Sequence, residues 1–280
     1  MRTLFAILFC AFIASAAFGV ESQTQTERIL KRLQEREQFL MQEYLAAEAE
    51  VDRESLEGRV RKLLDEYESF IKDNPDNVPA IVAYGMLLSQ IGERELAFRV
   101  FTRANNLDGE IPQVHNQLGN YMIEDGYFEM ALGHYLTAIR LAPEEPLYHY
   151  QLGNLLFFFQ DELVMEEVYS KSELPEMIFE SFKQAAHFAP HNFAYQYRFG
   201  EAFYDHPNPD LDAALNQWKT ALALAEDERE FEMVNLHLAN IYAMRGEGDE
   251  TNRCLEKVNL PEFDAQKQAV ENTLKAFYEE

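Results

Sequence analysis

The residues best suited to chemistry in this chain are few and scattered. His187 and His191 stand four apart in the stretch HFAPH, the spacing at which two imidazoles on one helical turn grip a metal ion. Pro190 lies between them and breaks such a turn, so no metal site is expected there. DHPNPDLD (205–212) supplies side-chain oxygens but lacks the glycine and closing glutamate of a calcium loop, and reads as a solvated turn. Neither a phosphate-binding loop, a nucleophile elbow nor a paired-cysteine motif occurs. Phe157-Phe158-Phe159 reads as core plus a packing interface, not as a cofactor pocket. A non-enzymatic chain without metal or cofactor is expected.

Charge narrows the partners. Lys and Arg number 24 against 49 Asp and Glu, a formal charge of −25. Such a field repels phosphate backbones and anionic headgroups, so nucleic acid and membrane surfaces are excluded as partners and basic proteins or peptides favoured. With 280 residues, 47% of them hydrophobic, the chain can bury a sizeable core. Its two cysteines, Cys10 and Cys254, allow no disulfide framework.

The first residues, MRTLFAILFCAFIASAAFGVES, combine one positive charge at Arg2, an apolar run from Leu4 to Ile13 and small residues at Ser15, Ala16, Ala17 and Gly19. That order predicts a secretory signal peptide over 1–19, cleaved near Ala17 or Gly19. About 15 apolar residues fall short of the roughly 20 that span a bilayer. The mature chain is expected to be exported, periplasmic or secreted, with no integral membrane span.

A repeat must position whatever the chain does. Gln117-Leu118-Gly119-Asn120 recurs as Gln151-Leu152-Gly153-Asn154, an offset of 34 residues (153 − 119). The same step relates Gly85 to Gly119, Gly92 to Gly126, Ala97 to Ala131, Phe101 to Tyr135 and Ala104 to Ala138. Within each window apolar residues fall at three- and four-residue steps on either side of a glycine turn, predicting two helices. In 112–145 these run from Gln113 to Glu124 and from Tyr127 to Leu141, stopped by Pro143. Gly85, Gly119, Gly153 and Gly200 fall mid-helix, where glycine costs about 1 kcal/mol against alanine. A compensating close approach between helices is expected, with bulky rings beside the small residues.

These residues resemble the tetratricopeptide repeat (TPR) family. Its motif places a large residue at position 4, Leu at 7, Gly or Ala at 8, a large apolar residue at 11, Ala at 20, an aromatic at 24, Ala at 27 and Pro at 32. In 112–145 those positions hold His115, Leu118, Gly119, Met122, Ala131, Tyr135, Ala138 and Pro143; in 78–111, Gly109 replaces the usual proline. The third unit, 146–192, carries an insertion at 161–173, so Phe182, Ala185 and Pro190 arrive late. The fourth (193–228) has Gly200, Ala214, Trp218 and Ala221, and the fifth (232–260) is weaker. The resemblance covers about 200 residues. It implies an all-α, right-handed α-solenoid over 78–260, with a degenerate half-repeat at 56–77, an N-terminal helix at 20–55 and a capping helix at 261–280. Leu30, Leu33, Leu40, Tyr44, Ala47 and Val51 alternate by three and four around Glu37. This stretch either packs on the first repeat or forms a short coiled-coil seam over residues 25–50 that makes a homo-oligomer.

At about 100° per residue, positions 2, 5, 9 and 12 of the first helix share a face away from packing positions 7, 8 and 11. The TPR resemblance implies that this face lines a concave groove for an extended peptide or a partner helix. Its occupants include Asn116, Asn120, Tyr150, Asn154, Phe157, Tyr197, Glu201, Tyr204 and Asn240. Asparagine recurs at position 9, as Asn120, Asn154 and Asn240. An amide both donates and accepts, so this ladder would hold a peptide backbone with little regard for sequence, and tyrosines would add contact area at low entropic cost. No Lys or Arg occupies the face positions of units two to four, which disfavours the family's C-terminal carboxylate ligands. The expected function is an exported adaptor; the competing expectation is an oligomeric assembly factor of the cell envelope that self-associates through its N-terminal helix.

Overall fold

The computed structural model describes residues 24–46 and 50–279; the leader reading, and the side chains of 44–54 with Tyr44, Ala47 and Val51 among them, lie outside what it describes. Among the described residues there is no β-strand. The chain forms two compact units, 1–83 and 84–280, whose division falls within a helix.

In the first unit α1 (Gln25–Ala46) packs against α2 (Glu50–Asp73). Leu30, Leu33 and Leu40 of the α1 seam are buried, as are Leu56, Val60 and Leu63 of α2. These leucines are buried within one chain. Glu37, the charged interruption, accepts a hydrogen bond from the Tyr67 hydroxyl, and burial pushes its carboxyl up to about 7. Arg36 and Glu66 pair beside it at 2.7 Å.

The second unit continues from the helix at the division, α3 (Val78–Gln90), as paired helices. α4 (Arg94–Leu107) follows α3 and sets its Phe101 ring against Gly85; α5 (Pro112–Glu124) pairs with α6 (Phe128–Leu141), and α7 (Pro146–Phe158) with α9 (Leu174–Phe188). α10 (Phe193–Asp205) then pairs with α11 (Leu211–Leu222), and α12 (Glu228–Met244) with α13 (Gly248–Leu255). Each second helix also packs on the next first helix, as α4 on α5 and α6 on α7. A short α8 (Gln160–Met165) lies between α7 and α9, and α14 (Asp264–Glu279) packs on α12 at the end of the stack.

The turns explain why each hairpin reverses where it does. Gly126 adopts φ +79°, and the following Tyr127 N–H reaches back to the Met122 carbonyl at 2.8 Å, closing the helix with a left-handed cap that favours glycine. The same bond recurs from Glu93 to Leu88 and from Glu247 to Tyr242. α8 ends likewise, with Val168 N–H on the Leu163 carbonyl at 2.9 Å, but the left-handed residue is Glu167, at φ 58°.

The mid-helix glycines face rings of their own hairpins. A Cβ on Gly85 would lie 2.9 Å from the Phe101 ring, on Gly119 2.7 Å from Tyr135, on Gly153 2.7 Å from Phe182 and on Gly200 2.8 Å from Trp218. Space left by the missing side chain is thus filled by the position-24 aromatic, flanked by fully buried alanines: Ala97 and Ala104, Ala131 and Ala138, Ala214 and Ala221. Gly133 of α6 has nothing within 4 Å of its would-be Cβ. Gly153→Ala is expected to lose stability despite the roughly 1 kcal/mol of helix propensity it gains, because overpacking against a buried ring costs about 1–3 kcal/mol. Gly133→Ala is expected to gain about 0.5–1 kcal/mol. Urea midpoints that move in the same direction for both variants would contradict this packing.

Candidate functional site: the face of the first helices

First helices of successive hairpins meet through aromatic side chains. Tyr150 of α7 lies 4.8 Å, centroid to centroid, from Tyr195 of α10, and Tyr197 of α10 lies 5.3 Å from His237 of α12. Around these contacts Asn120, Tyr150, Asn154, Phe157, Tyr197, Glu201, Tyr204 and Asn240 are partly exposed. Asn116 departs from the expectation: it is 3% exposed and lies in the interior, where no bound peptide reaches it. Val114, His115 and Leu118 of the same helix are buried with it.

The three position-9 asparagines differ. Asn120 Oδ1 accepts from the Tyr135 hydroxyl at 2.6 Å, an internal tie between α5 and α6. Asn240 lies beside the Tyr204 hydroxyl. The Asn154 side chain makes no hydrogen bond among the described residues and is partly open to solvent, leaving a donor and an acceptor available.

Two residues that the repeat pattern did not single out organise this face. His237 stacks flat on Trp218 with ring centroids 4.0 Å apart. Its Nε2 bonds the Tyr197 hydroxyl at 2.7 Å and its Nδ1 the Tyr204 hydroxyl at 3.2 Å. Burial brings its pKa down to about 4, so the ring is neutral near pH 7, with one nitrogen donating and the other accepting. The same burial pushes the Tyr204 hydroxyl up to about 12 and raises Tyr197 as well. Both phenols thus stay protonated, with their hydroxyls held on His237. Arg198 is the second. Its guanidinium lies 4.6 Å from the Phe157 centroid and 4.5 Å from that of Phe182, and it pairs with Glu201. The cation is held between two rings and neutralised, so it adds rigidity and no free charge. Arg198 and His237 each immediately precede position 7 of their units; a guanidinium or imidazole side chain there was the available signal.

The short helix α8 of the insertion packs against α7 and α6. Leu163 is fully buried, and Phe159 stacks on Phe128 at 4.4 Å, while Phe158 and Met165 stay exposed. His187 and His191 are both exposed, and among the described residues no three His, Cys, Asp or Glu side chains converge on one point. No helix among the described residues is long and apolar enough to cross a membrane.

Stacked α-hairpins with a glycine under the position-24 rings define the class: this chain has the tetratricopeptide-repeat fold. Among solved structures it is similar to YrrB, described as a TPR protein with an unusual peptide-binding site, at 18% identity and TM-score 0.58, covering 74% of this chain and 97% of that one. It is also similar to PilF of Pseudomonas aeruginosa, at 14% identity and TM-score 0.58, covering 87% and 98%. A third is the C-terminal part of a TPR repeat-containing protein from Cytophaga hutchinsonii, at 14% identity and TM-score 0.56, covering 88% and 98%. No protein-family model and no curated protein matches the chain.

Proposed function

We propose that this protein is an exported adaptor that holds an extended, basic peptide segment of a partner against the first helices of hairpins α7–α9, α10–α11 and α12–α13. The observation that supports this reading most is the run Tyr150, Asn154, Tyr197 and Tyr204, partly exposed on successive first helices, with Tyr197 and Tyr204 braced by His237, which stacks on Trp218. Braced rings lose little rotamer entropy on binding, and the unengaged Asn154 amide matches the donor–acceptor alternation of a peptide backbone. YrrB's description as a peptide-binding TPR protein agrees in kind. The charge of −25 supports a basic partner, and the residue order of 1–19 supports export. Burial of Leu30, Leu33 and Leu40 against a neighbouring helix of the same chain weighs against the self-assembly alternative.

The test is peptide selection from a random library on the purified protein, followed by affinity measurement. Asn154→Ala is expected to weaken a selected peptide by about tenfold, the equivalent of one hydrogen bond, with circular dichroism unchanged. Affinity is also expected to fall as salt rises. Equal binding by the variant would remove Asn154 from the site, and selected peptides without basic residues would remove the charge argument.

A further inference from the structure

His115 of α5 and His134 of α6 face each other outside the aromatic face described above. Their Nδ1 atoms are 3.0 Å apart, and their ring centroids 5.3 Å apart. His115 Nε2 is 2.9 Å from the Gly109 carbonyl. A carbonyl only accepts, so His115 Nε2 carries hydrogen, its Nδ1 is a bare lone pair, and the hydrogen between the two rings belongs to His134. His115 is 8% exposed and His134 partly exposed, which leaves a path from solvent through the His134 side.

From this geometry we propose that His115 and His134 form a two-point site for a divalent transition metal ion of the zinc, nickel or copper type, bound through both Nδ1 atoms. Metal–imidazole bonds of about 2.0–2.1 Å at a tetrahedral angle separate two donor nitrogens by about 3.3 Å, near the observed 3.0 Å; because the two nitrogens now point at each other, His134, the more exposed ring, must swing aside so that both lone pairs converge on the ion. The proton balance is neutral: His134 gives up its Nδ1 hydrogen and carries one on Nε2 instead, exposed to water. Gly109 already holds the far nitrogen of His115, the outer-shell carbonyl contact that fixes the tautomer and aims the lone pair of a metal-binding histidine. Imidazole selects these ions over magnesium and calcium. With no third protein ligand converging there among the described residues, the remaining coordination positions belong to water, so the ion exchanges. Other histidines are engaged differently: His237 by two tyrosines, His206 by Glu176 at 3.1 Å and His149 by the Pro143 carbonyl at 2.7 Å.

The full chain is titrated with zinc chloride while long-range proton–nitrogen NMR spectra follow each histidine ring. The expected result is a change at Nδ1 of His115 and His134 before any other ring, a melting temperature raised by a few degrees, and no response to magnesium. His134→Asn keeps a donor toward His115 and is expected to fold normally, yet to bind zinc at least about tenfold more weakly. First changes at His187 and His191, an unshifted melting temperature, or equal zinc binding by His134→Asn would each show that the pair is a hydrogen bond and nothing more.

Discussion

Trp218→Ala is expected to lower stability by about 3–5 kcal/mol, the range for truncating a large buried aromatic. The indole is completely buried, lies under Gly200, meets Tyr197 edge-on at 5.2 Å and carries the parallel His237 ring. Ala214 and Ala221, buried in the same core cluster, are too small to fill the void. The loss reaches function as well: without its stacking partner His237 no longer fixes the hydroxyls of Tyr197 and Tyr204. A selected peptide should therefore bind more weakly even where the variant remains folded. Because repeat stacks unfold by neighbouring units, amide exchange in α10–α13 should accelerate before exchange in α5 and α6. Urea unfolding followed by far-ultraviolet circular dichroism measures the stability loss, and a cost below about 1 kcal/mol would contradict the packing described.

Glu232→Ala has the second large effect. Glu232 is 2% exposed, and its Oε2 accepts from the backbone N–H groups of Asn259 and Leu260 at 2.8 and 2.7 Å. These bonds fix the strap between α13 and the single turn Pro261–Phe263 that leads into α14. Each hydrogen bond to a charged acceptor contributes about 1.5–3 kcal/mol, and removing the acceptor strands two donors. A loss of about 3 kcal/mol is expected, with α14 freed and buried Phe263 and Val270 uncovered. Limited proteolysis should then cut first between residues 256 and 263. Glu232→Gln keeps an acceptor and should recover most of the loss; a glutamine variant as labile as the alanine one would mean that the carboxylate holds something other than this strap.

The hairpin stack was legible in the sequence because each repeat states its packing twice, once as a small residue such as Gly119 and again as a ring such as Tyr135, 16 residues on (135 − 119). Helical stops were legible where glycine marks a left-handed turn, as at Gly126. Glu167 performs the same turn without glycine, so the close of α8 was not readable. The leucines of α1 announced a seam but not its partner, because a three–four spacing is the same for a neighbouring helix of the same chain and for a second copy. On the candidate face, helix angles place side chains on a side but not at a depth, which is why Asn116 lies inside while Asn154 remains open. Arg198 and His237 escaped notice for a related reason: their importance comes from rings brought by other hairpins, Phe157 and Phe182 in one case and Trp218 with two tyrosines in the other.

The most direct measurement of peptide capture along the first helices is hydrogen exchange by mass spectrometry, with and without a saturating library-selected peptide. Slower exchange concentrated in α7, α10 and α12, with α6, α9 and α11 unchanged, is the predicted result. Protection confined to the second helices, or to the 160–173 segment, would contradict it and move the binding surface to the other side of the stack.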